Sequence, residues 1–174
     1  MQRKLATWTA TDSSRRVDRL LRLITHPDWL AEATRITLAS SGARTPGVDG
    51  MVKTHLEGEL SEFLVQIRTE LLAGTYQPSP ARRVYIPKPN GKLRPLGIPT
   101  LRDRVVQRAM LLAMEPIWEN DFHRLSYGFR PERSVHHAIR TVKLQLTDST
   151  DTKGRWVIEG DLASYFDTVH HKLL

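Results

Sequence analysis

Apolar positions recur at helical intervals through much of this chain, and each run is bounded by a residue that starts or stops a helix. Val17, Leu20, Leu21 and Ile24 share one helical face, and Pro27 with Asp28 opens a second helix carrying Trp29, Ala33 and Ile36. Gly42 is expected to end that helix, and Thr45-Pro46-Gly47-Val48-Asp49-Gly50 is a loop by composition. Thr54 and Glu57 form a capping-box pattern before Leu56, Leu60, Phe63, Leu64, Ile67 and Leu71, with Gly74 placed to end the helix. Thr100 reads as the N-cap of a helix bearing Val105, Val106, Ala109, Met110, Leu112 and Ala113, with Asp103 in its first turn and Pro116 as its stop. A loop from Ser126 to Glu132 precedes another helix with Val135, Ala138, Ile139, Val142 and Leu146. Trp156 to Asp161 reads as a buried strand ending on an acid, and Asp167 as the cap of a further helix.

Between the helices of 54–74 and 100–116 the period changes. Arg82 to Pro99 predicts two short strands folded back on each other around Asn90-Gly91, a dipeptide that favours a two-residue type I′ turn. The pattern as a whole is α+β: mostly helical, with one basic hairpin and one acidic strand.

Charge sharpens this picture. Lys and Arg number 26 and Asp and Glu 19, for a net charge of +7. Ala81 to Arg108 holds eight basic residues and one acid, so that segment alone accounts for the whole excess. Charge that local points to a polyanionic partner; the competing reading is a solvated Arg/Lys face. There is no cysteine, which excludes disulfides, thiol chemistry and cysteine-ligated zinc. No apolar run approaches the roughly 18–20 residues of a membrane span, and a cytosolic protein is the expectation.

Three places could carry chemistry. Asp161, at a strand end, suits Mg²⁺, a hard cation that shares its shell with phosphate oxygens, and the carbonyl of Leu162 offers a second ligand. Tyr165 and Phe166 could set a ring against a bound sugar or simply fill the core. Tyr127-Gly128-Phe129-Arg130-Pro131-Glu132-Arg133-Ser134 mixes cations and aromatics before a helix start, a composition that can grip phosphate and stack on bases. His136 and His137 lack partners at metal-ligand spacing and read as helix surface.

Taken in order, Pro46–Gly50, Ile86–Pro99, Asp103–Gln107, Tyr127–Pro131 and Gly160–Asp167 resemble the bacterial group II intron reverse transcriptases, which double as maturases. The resemblance covers about residues 40–174. It implies an incomplete right-hand polymerase fold: an amino-terminal helical extension with a template-contacting loop (1–50), fingers (51–150) and the beginning of the palm (151–174). It implies that the loop residues Gly47 and Asp49 contact template RNA, and that Arg82, Lys88 and Arg94 grip the triphosphate of an incoming deoxynucleotide. Arg102, Arg104, Arg130 and Arg133 are implied as further nucleic-acid contacts. Asp161 and Leu162 match the first metal ligands, for Mg²⁺ or alternatively Mn²⁺, with Asp161 catalytic, and Phe166 matches the ring that excludes a ribose 2′-hydroxyl. The implied partners are template and intron RNA, a DNA primer and deoxynucleoside triphosphates, in the bacterial cytoplasm with nucleoid or ribonucleoprotein association, and with no membrane. The family completes its site with a Tyr-x-Asp-Asp turn, and no Asp-Asp pair occurs in this sequence. A 174-residue fragment inactive by itself is therefore expected, the alternatives being a non-catalytic intron-RNA-binding module or a decayed gene product.

Overall fold

A computed structural model describes residues 1–12, 17–147, 156–162, 165–170, 172 and 173. The chain divides into two compact units, Met1–His123 and Arg124–Leu174.

The first unit is built around one long helix. In chain order its elements are α1 (Gln2–Thr11), α2 (Leu20–Ile24), α3 (Pro27–Ala39), α4 (Leu60–Ala73), β1 (Arg82–Pro87), β2 (Leu93–Ile98) and α5 (Leu101–Trp118). Helices α1, α2 and α3 all pack on α5. Leu101, Val105, Val106, Ala109 and Ala113 of α5 join Ile24, Leu30, Ala33, Leu56, Phe63 and Ile67 in a single apolar core. Thr100 caps α5 as expected: its hydroxyl oxygen accepts the Asp103 amide at 3.1 Å. Gly74 ends α4 with φ of +69°, a conformation that costs glycine little.

Several boundaries depart from the sequence reading. Helix α1 has no counterpart there. Val17 lies outside α2, because Arg19 takes a left-handed conformation and the helix starts after it. Helix α3 stops at Ala39, where Ser40 is extended, and Gly42 sits in a separate 3-10 turn. Thr54 and Glu57 do not cap α4. Thr54 belongs to a 3-10 turn over Lys53–Leu56, Gly58 then takes φ of +90°, and α4 begins only at Leu60.

Pro116 does not stop α5, which continues to Trp118. A proline at 116 cannot donate to the carbonyl of Leu112, four residues back. The side chain of Gln2 does so instead, at 3.0 Å, and the orphaned acceptor is satisfied from α1.

The hairpin pairs Arg82 with Ile98 through to Pro87 with Leu93, antiparallel. Its turn is not the two-residue type. That register would ask Pro89 for a backbone donor it lacks. The closing bond runs instead from the Lys88 amide to the Lys92 carbonyl (2.7 Å), around a three-residue loop of Pro89, Asn90 and Gly91. The Gly91 amide bonds back to Lys88 (3.0 Å), and Gly91 carries the positive φ, +77°.

The second unit contains α6 (Val135–Thr147) and the single turn α7 (Tyr165–Thr168). Helix α6 forms where its periodicity places it, but buries none of its residues. The expected strand at 156–161 is absent: Trp156 and Ile158 are 96% and 95% exposed, and the segment is irregular. A strand requires a ladder partner, and no strand is described in this unit. Val142, Leu146, Trp156, Val157 and Ile158 line an open apolar groove of about 520 Å³. Asp167 lies within α7 rather than preceding it, so it is not that turn's cap. Among the described residues no helix is long and apolar enough to cross a membrane.

Candidate nucleic-acid interface

Strand alternation fixes the most informative geometry. Partners across an antiparallel pair share a face, so the even-numbered residues of both strands point one way. Arg82, Lys88, Lys92 and Arg94 therefore lie on one face of the hairpin. No acid occurs between Ala81 and Thr100. Lys88, Lys92 and Arg94 are exposed, and none of the ion pairs among the described residues involves them. Their charge is left for a ligand.

The base of this face is tied to the 45–50 loop. Arg82 Nε donates to the Pro46 carbonyl at 3.0 Å. Gly47, buried, lies directly against the start of α5: a Cβ there would sit 2.6 Å from Thr100 Cα and 2.8 Å from its nitrogen. Only glycine permits that approach. Asp49 is exposed and accepts the Met51 amide at 3.1 Å, which shapes the turn, while Gly50 takes φ of +73°. Gly47 thus seats the loop, and Val48 and Asp49 stand outward on it.

Arg102 and Arg104 emerge from opposite sides of the α5 start. Arg102 pairs with Glu70 and lies over the Tyr76 ring, 5.2 Å from its centre. Arg104 donates from Nη1 to Gly42 at 2.6 Å and from Nη2 to Thr45 at 2.7 Å, holding the chain just before the Pro46 that Arg82 holds. Both have internal partners, although Arg104 bonds only neutral carbonyls and keeps its charge uncompensated.

Asp103, between them, is 3% exposed. Its Oδ1 accepts the Tyr76 hydroxyl, and its Oδ2 accepts the Ser79 amide (3.1 Å) and the Thr100 hydroxyl (2.6 Å). Burial and then the bond to Asp103 hold the Tyr76 phenol well above the usual tyrosine range. The Asp103–Gln107 stretch of the family pattern is thus in part a device that fastens the segment before β1 to α5. The sequence showed Asp103 as a helix-start acid; nothing in it showed Tyr76 or Ser79 as partners.

In the second unit Arg130 is buried and donates to the Ser126 carbonyl at 2.9 Å. Arg133 donates to the Arg124 carbonyl at 2.6 Å and lies over the Tyr127 ring at 5.6 Å. The Tyr127 hydroxyl meets the Thr141 hydroxyl at 2.6 Å, fastening the loop to α6. Asp161 and Leu162 are both exposed on the irregular segment. The side chains of Phe166 and Asp167 lie outside the described residues. Among the described residues no three acids or histidines gather as a metal cage. Asp161 is one carboxylate, too few to hold a two-metal centre without further ligands.

A helical body carrying a cationic hairpin with no acid between its strands suits a polyanionic partner such as a nucleic-acid backbone. Residues 86–174 match the family described as reverse transcriptase (RNA-dependent DNA polymerase), and the chain belongs to that family. Protein YkfC of Escherichia coli (strain K12) is 78% identical over the whole chain, which spans 46% of that protein. Group II intron-encoded protein LtrA of Lactococcus lactis subsp. cremoris is 38% identical over 90% of the chain, which spans 25% of it. The putative COX1/OXI3 intron 1 protein of Saccharomyces cerevisiae is 34% identical over 89% of the chain and 18% of its own length. The name of the Lactococcus protein agrees with the group II intron resemblance read from the motifs, and the chain spans less than half the length of each of these relatives.

Proposed function

We propose that this chain is the RNA-gripping, fingers-containing portion of a group II intron-type reverse transcriptase. The observation that carries this reading is the set of four cations on one hairpin face with no acid to neutralise them. Residues 1–50 serve as the template-side extension, 51–150 as fingers and 151–174 as the palm's beginning. Arg82, Lys88 and Arg94 meet phosphates of an incoming deoxynucleotide in the complete polymerase, and in this chain alone the same hairpin face takes RNA phosphates. The loop at Gly47 and Asp49 meets template RNA, and Arg130 and Arg133 shape a second contact before α6. Arg102 and Arg104 act by positioning the hairpin base and the loop. In the complete polymerase, extending a DNA primer on RNA in the bacterial cytoplasm, Asp161 is one ligand of the Mg²⁺ (or Mn²⁺) the family reading calls for, with Leu162 beside it and Phe166 as the ring near the sugar. These 174 residues alone do not extend a primer: two metals about 4 Å apart need several converging carboxylates, and no three acids or histidines gather around Asp161 among the described residues.

A salt titration tests the reading. The chain binds single-stranded RNA with log K falling linearly against log salt, at about 0.7 per phosphate contacted. Replacing Lys88, Lys92 and Arg94 together by glutamine lowers that slope by about 2. Absence of RNA binding, or an unchanged slope in the triple variant, overturns the proposal.

A further inference from the structure

On the side of α5 away from Arg102, a small depression of about 230 Å³ is lined by Thr37, Ser40, Arg104, Gln107, Arg108 and Leu111. No lining residue is acidic. Arg104 and Arg108 stand one helical turn apart, so their side chains share a face. Arg104 is held by its carbonyl partners, with two of its five N–H groups unused. Arg108 is half-buried and makes no hydrogen bond or ion pair among the described residues. The Ser40 and Thr37 hydroxyls donate to Thr37 and Ala33 carbonyls at 2.7 and 2.8 Å, leaving the two arginines and the Gln107 amide as the available donors.

A half-buried guanidinium without a counter-charge, beside a second one fixed in place, is a costly arrangement unless an anion completes it. The volume is below the roughly 300–1,000 Å³ typical of small-molecule sites and suits a single phosphate group. Continuity supports a polymer rather than a free ion: Arg104 grips the chain at Gly42 and Thr45, and Arg82 grips the next residue, Pro46, so the pocket and the hairpin base meet at the start of the same loop.

We propose that Arg108, with Gln107 and Arg104, forms a phosphodiester pocket that anchors the backbone of a bound RNA strand beside the start of the 45–50 loop. It rests on the RNA-binding reading above but adds Arg108 and Gln107, which that reading does not use. Bidentate recognition by Arg108 makes the contact one of geometry as well as charge.

The test compares the full chain with Arg108→Gln and Gln107→Glu, using a fluorescein-labelled 20-nucleotide single-stranded RNA at several salt concentrations. Gln107 is exposed, so Gln107→Glu places a carboxylate at the pocket without disturbing the core. Arg108→Gln should reduce the salt slope by about 0.7, and Gln107→Glu should weaken binding several-fold at low salt. If wild type binds RNA and both variants keep its slope and affinity, the pocket is not a phosphate site. If wild type fails to bind RNA, the broader reading falls and inorganic phosphate decides the pocket. A saturable shift of the Arg108 Nε–H resonance in wild type, lost in Gln107→Glu, upholds an anion site for free phosphate and overturns the RNA anchor; no shift overturns both.

Discussion

Replacing Asp103 by alanine should cost the first unit about 3–5 kcal/mol. The carboxylate is 3% exposed and accepts three hydrogen bonds, from Tyr76, Ser79 and Thr100. A hydrogen bond to a charged group is worth about 1.5–3 kcal/mol net. The Tyr76 hydroxyl and Ser79 amide are only part-buried and can recover some hydration, whereas Thr100 is 2% exposed and is left without its acceptor. The total therefore stays below three full bonds yet well above a surface substitution. Asp103→Asn keeps the volume and one acceptor but turns an amide toward donors, for a cost of about 2 kcal/mol. Urea denaturation followed by far-ultraviolet circular dichroism measures both, with the slope checked for constancy between variants. Tyr76→Phe combined with Asp103→Asn should be non-additive by at least about 0.5 kcal/mol. A cost below about 1 kcal/mol for Asp103→Ala, or strict additivity of the pair, would refute the claim that this acid fastens the segment before the hairpin to α5.

Gly47→Ala should lower stability by about 1–3 kcal/mol, since its Cβ meets Thr100 backbone that cannot swing aside; a melting temperature equal to wild type would show that the loop is not seated as described. Tyr76→Phe should cost about 1 kcal/mol near neutrality. That gap should narrow above pH about 10, where the unfolded phenol ionises while the folded one, its pKa raised, keeps its proton; a gap constant through alkaline titration would contradict the raised pKa. Brief chymotrypsin treatment should cut after Trp156 long before Trp29, which packs on the core and donates from Nε1 to the Ala109 carbonyl at 3.0 Å; simultaneous cleavage would mean that 156–162 is protected in solution.

The hairpin, α4, α5 and α6 were legible because each rests on local chemistry: alternation, Thr100 as a cap, Gly74 as a stop, periodic apolar residues. What the sequence concealed depends on partners far along the chain. Pro116 reads as a stop only if nothing answers the Leu112 carbonyl, and the answer comes from Gln2, which no window around 116 contains. Asn90-Gly91 suggests a tight turn until Pro89 is asked for a donor, a conflict visible in the residues but outweighed by the dipeptide signal. Trp156–Ile158 has strand composition, yet composition cannot supply the neighbour that makes a strand. For the candidate site, the cations were visible as a charge excess, while their sorting needed coordinates. Arg82 and Arg104 brace the 45–50 loop, Lys88, Lys92 and Arg94 share an open face, and Arg108 was not singled out.

The bond from Gln2 to Leu112 also sets an order of events during synthesis. The first helix leaves the ribosome early but finds its seat only after residues beyond 112 have emerged, so it must wait as a lone amphipathic segment. A substitution at Gln2 therefore acts on the last turns of α5, a coupling that a local view of the residues around it would not anticipate.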